Sequence, residues 1–146
     1  MNALALRATV HCLTGCVIGE VAGMVIGKTA GLSNEGTVLL AVVLAFVFGY
    51  ALTMWPLVRA GSSFGLATRT AFAADTVSIV IMEAIDNAFV LSVPGAMDAP
   101  LSDRLFWGPL AIGFVIAFPF AYLANRYLIA RGGGHAGAHG HHRARE

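Results

Sequence analysis

Charge is what this sequence has least of. Asp, Glu, Lys and Arg make up 12% of its 146 residues, against roughly 25% in a typical soluble domain. Lys28 is the single lysine. So thin a charged complement cannot coat a small soluble domain, whose surface-to-volume ratio is high. The formal net charge of +1 comes with no basic stripe interleaved with aromatics, which gives no reason to expect a nucleic-acid partner. Cysteine is scarce too. Cys12 and Cys16 both stand in an apolar stretch, so they do not form an extracellular disulfide framework. No Ser-His-Asp order, phosphate-binding loop or dinucleotide fingerprint occurs, and neither does a repeat at solenoid period. A hydrolase, an ATPase or a dehydrogenase is therefore not expected.

Apolar residues are abundant instead, at 58% of the chain, with a mean hydropathy of +0.76. The length suits one domain. Four apolar segments, at about 4–27, 37–58, 68–90 and 105–130, are each long enough to cross a hydrocarbon core near 30 Å thick. Backbone groups in lipid must be paired within their own segment, so the spans are expected to be helices. The fold expected is all-α: an integral membrane bundle of about four transmembrane helices over residues 1–131, with a lipid bilayer as its surroundings. Ser102 or Asp103 suits the N-cap of the fourth.

Arg7, Arg59, Arg69, Arg126, Arg131, Arg143 and Arg145 fall on one side of such a topology, and Lys28 and Arg104 on the other. The positive-inside rule then places both termini in the cytoplasm and the chain in the cytoplasmic membrane as a multi-pass protein. Trp55, Trp107, Tyr122 and Tyr127 stand near span ends, as an aromatic belt would have them. Leu13-Thr14-Gly15-Cys16 resembles a bacterial lipobox. The run before it is short and contains His11 and Cys12, so an uncleaved first span is the reading adopted. The Gly/His-rich segment 132–146, with His135, His139, His141 and His142, is expected to be a disordered cytoplasmic tail able to collect metal ions weakly.

Several residues do not belong in lipid. In the first span Cys12, Cys16 and Glu20 follow one another at four-residue steps and form a ridge on one helix side. A parallel ridge of Gly15, Gly19, Gly23 and Gly27 allows close approach of another helix, in this chain, a second copy or a membrane partner. In the third span Asp75, Ser78, Met82 and Asp86 share a narrow arc, with Glu83 at its edge. An Asp at a helix centre costs about 2.5–3.5 kcal/mol on insertion scales, so these carboxyls demand partners.

With Arg7 and Arg69 as boundary markers, His11, Cys12 and Asp75 lie roughly 6–9 Å inside, and Cys16 at about 13 Å. Glu20, Met82 and Glu83 lie at roughly 20 Å, with Asp86 somewhat deeper. If the first and third spans are neighbours, two layers of ligand-type side chains coincide. His11, Cys12, Cys16 and Asp75 would then be donors to copper or zinc, and Glu20, Met82, Glu83 and Asp86 a second polar layer. H-C-x-x-x-C is not a standard zinc spacing, and His11 points about 100° away from Cys12. Inert packing of the cysteines and a structural hydrogen-bond network of the acids stay open as alternatives. So do a thiol-redox pair and an accessory subunit whose glycine ridge packs against a partner helix. A Cys12–Cys16 disulfide is disfavoured, because Cβ atoms four residues apart on a helix are about 5–6 Å from each other.

The run His11-Cys12-x-x-Gly15-Cys16-x-x-Gly19-Glu20 resembles the signature of small bacterial membrane proteins grouped as a domain of unknown function, family 4396. Ala74-Asp75-Thr76-Val77-Ser78 with Met82-Glu83 is similar to that family's second motif. Tyr122-x-x-Asn125-x-Tyr127-Leu128-x-x-Arg131-Gly132 resembles its third, with departures at Leu123 and Arg126. The resemblance implies a four-helix protein of a bacterial inner membrane. It implies no activity.

Overall fold

The structure, a computed structural model, describes residues 2–131. They form four helices: α1 (Asn2–Thr29), α2 (Asn34–Arg59), α3 (Phe64–Ser92) and α4 (Arg104–Ala130). No strand occurs among the described residues. The tail histidines His135, His139, His141 and His142 lie outside them.

The first two links, residues 30–33 and 60–63, use one device twice. Each begins Ala-Gly and ends in Ser. Gly31 and Gly61 adopt φ of 72° and 93°, a left-handed conformation that glycine takes at no steric cost. The next residue then folds back, with Leu32 N donating to Gly27 O and Ser62 N to Leu57 O. These bonds satisfy carbonyls that a helix end leaves open. Ser33 and Ser63 cap the following helices by accepting from the Gly36 and Leu66 amides, and Asp103 caps α4 from the Leu105 amide. Such short links make successive helices antiparallel.

α1 packs beside α2 and α4, α3 beside the same two, and α1 and α3 meet across the bundle. The glycine ridge fixes the first of these contacts. A Cβ at Gly15, Gly19 or Gly23 would collide with α2 backbone at Gly49, Ala45 or Ala41, and one at Gly27 with the side chain of Thr37. Each step of four up α1 is matched by a step of four down α2, whose buried face is Thr37, Ala41, Ala45, Gly49 and Thr53. This ridge is spent within the chain. Of the settings open to it, contact within this chain is the one the ridge takes.

α1, α2 and α4 are each long and apolar enough to cross a membrane. α3 has the length, at 29 residues, but Asp75, Glu83 and Asp86 interrupt its apolar run. All three are buried, and the outward surface of α3 carries Phe72, Val77 and Val80. The other helices likewise expose Ile18 and Ile26, Leu39 and Val43, and Val115 and Phe120. An outside this apolar is that of a membrane protein rather than of a water-soluble one.

Candidate functional site

Inside this apolar shell the bundle is polar. α1 buries Ala8, Cys12, Cys16, Glu20 and Met24 at four-residue steps, and α3 buries Ala74, Ser78, Met82, Asp86 and Val90 in the same way. A helix brings such residues onto one ridge. Because α1 and α3 are diagonal neighbours, the two ridges face each other across the core.

Cys12 and Cys16 are 1% and 0% exposed, and their sulfurs stand 4.0 Å apart. Both thiols are free. Glu83 reaches Cys16 from α3. One turn further along α1, Glu20 is fully buried and lies within reach of Glu83 and Asn87. The Asn87 amide donates to Glu83, at 3.0 Å to its carbonyl and 3.3 Å to its carboxyl Oε2. Asp86 completes the acidic group from the α4 side. It packs on Gly113, where any Cβ would strike its carboxyl, and it lies in electrostatic range of Glu20 and Glu83. Both oxygens of Glu20 and of Asp86, Oε1 of Glu83 and Oδ1 of Asn87 receive no hydrogen bond. Acceptor faces acceptor here, an arrangement that a buried polar group tolerates only at a cost of about 1–3 kcal/mol each.

The donors expected around the thiols divide. His11 turns to α2, where its Nε2 is 3.1 Å from Thr53 Oγ1. Asp75 is buried and also has Thr53 within hydrogen-bonding reach. His11 and Asp75 therefore gather about Thr53, as the 100° offset of His11 from Cys12 requires. Met82 is fully buried on the α3 ridge. Among the described residues no three His, Cys, Asp or Glu side chains converge as a metal-holding group.

Three polar residues outside the expected set take part. Asn87 links the acids and stands one helical step beyond Glu83. Thr53 ends the small-residue face of α2. Asn125 donates to Thr9 Oγ1 at 3.0 Å and to Ser78 Oγ at 3.1 Å, tying α4 to α1 and α3. Its signal was the stripe Gly113, Ala117, Ala121, Asn125 on α4, a four-residue step like the glycines of α1.

The family model described as domain of unknown function (DUF4396) matches residues 2–134. The chain belongs to this family. No curated protein and no solved structure matches the chain significantly. The family brings no activity with it, so function rests on the interior just described.

Proposed function

We propose that this DUF4396 member is a multi-pass protein of the bacterial cytoplasmic membrane that binds copper or zinc inside its bundle and takes part in handling or transporting it. In this reading all four helices cross the bilayer and both termini are cytoplasmic, in accord with the Arg distribution. α3 crosses because its carboxyls turn inward while its lipid-facing surface is apolar.

The observation that carries the metal reading is the thiol pair. Two metal–sulfur bonds of about 2.3 Å at a tetrahedral centre separate the sulfurs by about 3.8 Å. The 4.0 Å between Cys12 and Cys16 needs almost no adjustment to reach that value. A disulfide would need the sulfurs to close to about 2.05 Å across one rigid helical turn. Glu83, which acts on Cys16 from α3, would be a third donor in the place first expected for Asp75 only after moving in, since the three side chains do not converge as they stand. Binding would release the thiol protons, since only thiolates ligate, so affinity would weaken in acid. His11 and Asp75 around Thr53 sit nearer the cytoplasmic end than Cys16 and mark an approach to the thiols.

Elemental analysis of the purified full chain in detergent tests this. We expect about one copper or zinc ion per chain at the thiol pair, lost in Cys12→Ser and in Cys16→Ser. Metal content unchanged in both variants would mean that the thiols hold none. A variant with His135, His139, His141 and His142 replaced separates any contribution of the tail.

A further inference from the structure

We infer that the bundle seats one anionic phospholipid, with an acyl chain in the groove between α1 and α4 and the lipid phosphate beside Lys28. The inference uses the bilayer of the proposed topology and nothing of the metal reading. The groove is lined by Leu13, Val17 and Val21 at four-residue steps on α1, and by Trp107, Phe114 and Phe118 on α4. Its volume is about 610 Å3, and every residue lining it is aliphatic or aromatic. Glycines draw α1 against α2, whereas these larger side chains hold it off α4 and leave the gap open toward lipid.

The dimensions fit a single chain of hydrocarbon. From Leu13 to Val21 and from Trp107 to Phe118 the helices rise about 12 and 16 Å. One leaflet of a hydrocarbon core near 30 Å thick is about 15 Å deep. An acyl chain entering beside Trp107 would therefore lie along the groove for its full depth. Spread over that length, the volume leaves a cross-section of about 40–50 Å2. The body of a helix, about 10–12 Å across, needs roughly 80–110 Å2. A second copy could lie over the mouth of the groove but could not fill it.

Charge at the Trp107 end selects the head group. A polar cavity of about 490 Å3 lies there, and of the residues lining it Lys28 alone is charged, with Asn34 and Ser102 beside it. Cavity and groove meet at the indole: Trp107, in the groove, donates to the carbonyl of Leu101, in the cavity wall, at 2.7 Å. The Lys28 ammonium stands 5.0 Å from the Phe106 ring, whose centre is 4.9 Å from that of Trp107. What Lys28 touches is neutral: that ring and the Met97 and Ala99 carbonyls, at 2.6 and 2.7 Å. An ammonium carries three donors, so one donor and an uncompensated charge suit a phosphate oxygen. Asp98 and Asp103 of the same link are bonded to Asn34 and to the Leu105 amide, and neither lines the groove or the cavity.

Native mass measurement of the delipidated full chain in detergent tests this, with dioleoyl phosphatidylglycerol and dioleoyl phosphatidylethanolamine as probes. The two share their acyl chains and differ in net charge. We expect one lipid per chain, with phosphatidylglycerol bound roughly fivefold more tightly, as one basic residue at a membrane surface would give. Lys28→Met should remove that preference while both lipids still bind. Lys28→Arg should keep it, so a loosened link in the Met variant does not decide the result. Ala111→Trp, at an exposed position in the groove, should abolish binding of both lipids. Glycerol 3-phosphate should not displace bound phosphatidylglycerol, because the head group alone leaves the groove empty. The double variant Cys12→Ser/Cys16→Ser should bind lipid like the parent, which separates this seat from the thiol metal. Equal affinity of the parent for the two lipids would overturn the inference, as would a preference that survives Lys28→Met. Displacement by glycerol 3-phosphate, or a dimer in place of the lipid adduct, would overturn it too.

Discussion

At Gly19 the backbone of α1 approaches Ala45 so closely that any side chain would meet the α2 main chain. Main chain cannot swing aside as the end of a flexible side chain can. Gly19→Ala should therefore lower stability by about 1–3 kcal/mol through overpacking, seen as a fall in the thermal midpoint in detergent. Gly65, in the first turn of α3, has open space around the same position. Gly65→Ala should be neutral or stabilising, by up to about 1 kcal/mol, because alanine favours the helix. A rise of equal size in both variants would mean that helix propensity and not contact decides. The same logic makes Gly113 a site residue, because the absence of its side chain is what leaves room for Asp86. That role could not be read from a lone glycine in the sequence, since the collision partner lies 27 positions away on another helix.

Helix existence was legible because three segments are apolar for the length a span requires and the remaining one, α3, has the length; of the caps, only that of α4 was read, as Ser102 or Asp103. The pairing of ridges was legible only in part. The glycine step on α1 announced a close contact but not its partner. The answering step from Thr37 to Thr53 on α2 has no outstanding residue type and is plain only beside the first. Projection along the helix axes supplies only an axial order for the thiols and carboxyls. Axial depth says nothing about azimuth, however, and azimuth is what sends His11 to Thr53 and leaves Glu83, rather than Asp75, beside Cys16. The third link is the least regular element, and side chains from outside hold it: Asn34 Nδ2 donates to Asp98 Oδ1 at 2.8 Å, Trp107 Nε1 donates to the Leu101 carbonyl at 2.7 Å, and Lys28 makes two bonds. Lys28 spans from the end of α1 to the Met97 and Ala99 carbonyls and covers the Phe106 ring at 5.0 Å. Lys28→Met keeps the apolar stem but removes the donors, leaving two carbonyls unsatisfied at about 1–3 kcal/mol each. Hydrogen exchange should then rise across residues 93–103 while the first two links are unchanged. No change in residues 93–103 would mean that the buried Ala96, Met97 and Ala99 and the Asn34 and Trp107 bonds hold the link without Lys28.

For the whole molecule, the polar interior and the apolar exterior are two sides of one constraint. Asp75, Glu83 and Asp86 keep α3 from being as apolar as its three neighbours, yet an antiparallel bundle of this kind cannot lay α3 aside. Its start is tied by four residues to the end of α2, and its side is packed on α2 and α4. At 29 residues and about 1.5 Å per residue it is long enough to reach from one face to the other. On the proposed four-span topology, Ser62 in the second link and Ser102 in the third lie on opposite sides of the membrane. Replaced singly by cysteine, Ser62 should react with a membrane-impermeant thiol reagent only from the cytoplasmic face, and Ser102 only from the outer face. Cys12 and Cys16 are buried in the core and should stay silent in both cases. Reaction of both introduced cysteines from one face would mean that α3 returns without crossing. The two carboxyl-bearing levels would then open to water on a single side, and the acids would need neither a metal nor one another to remain charged.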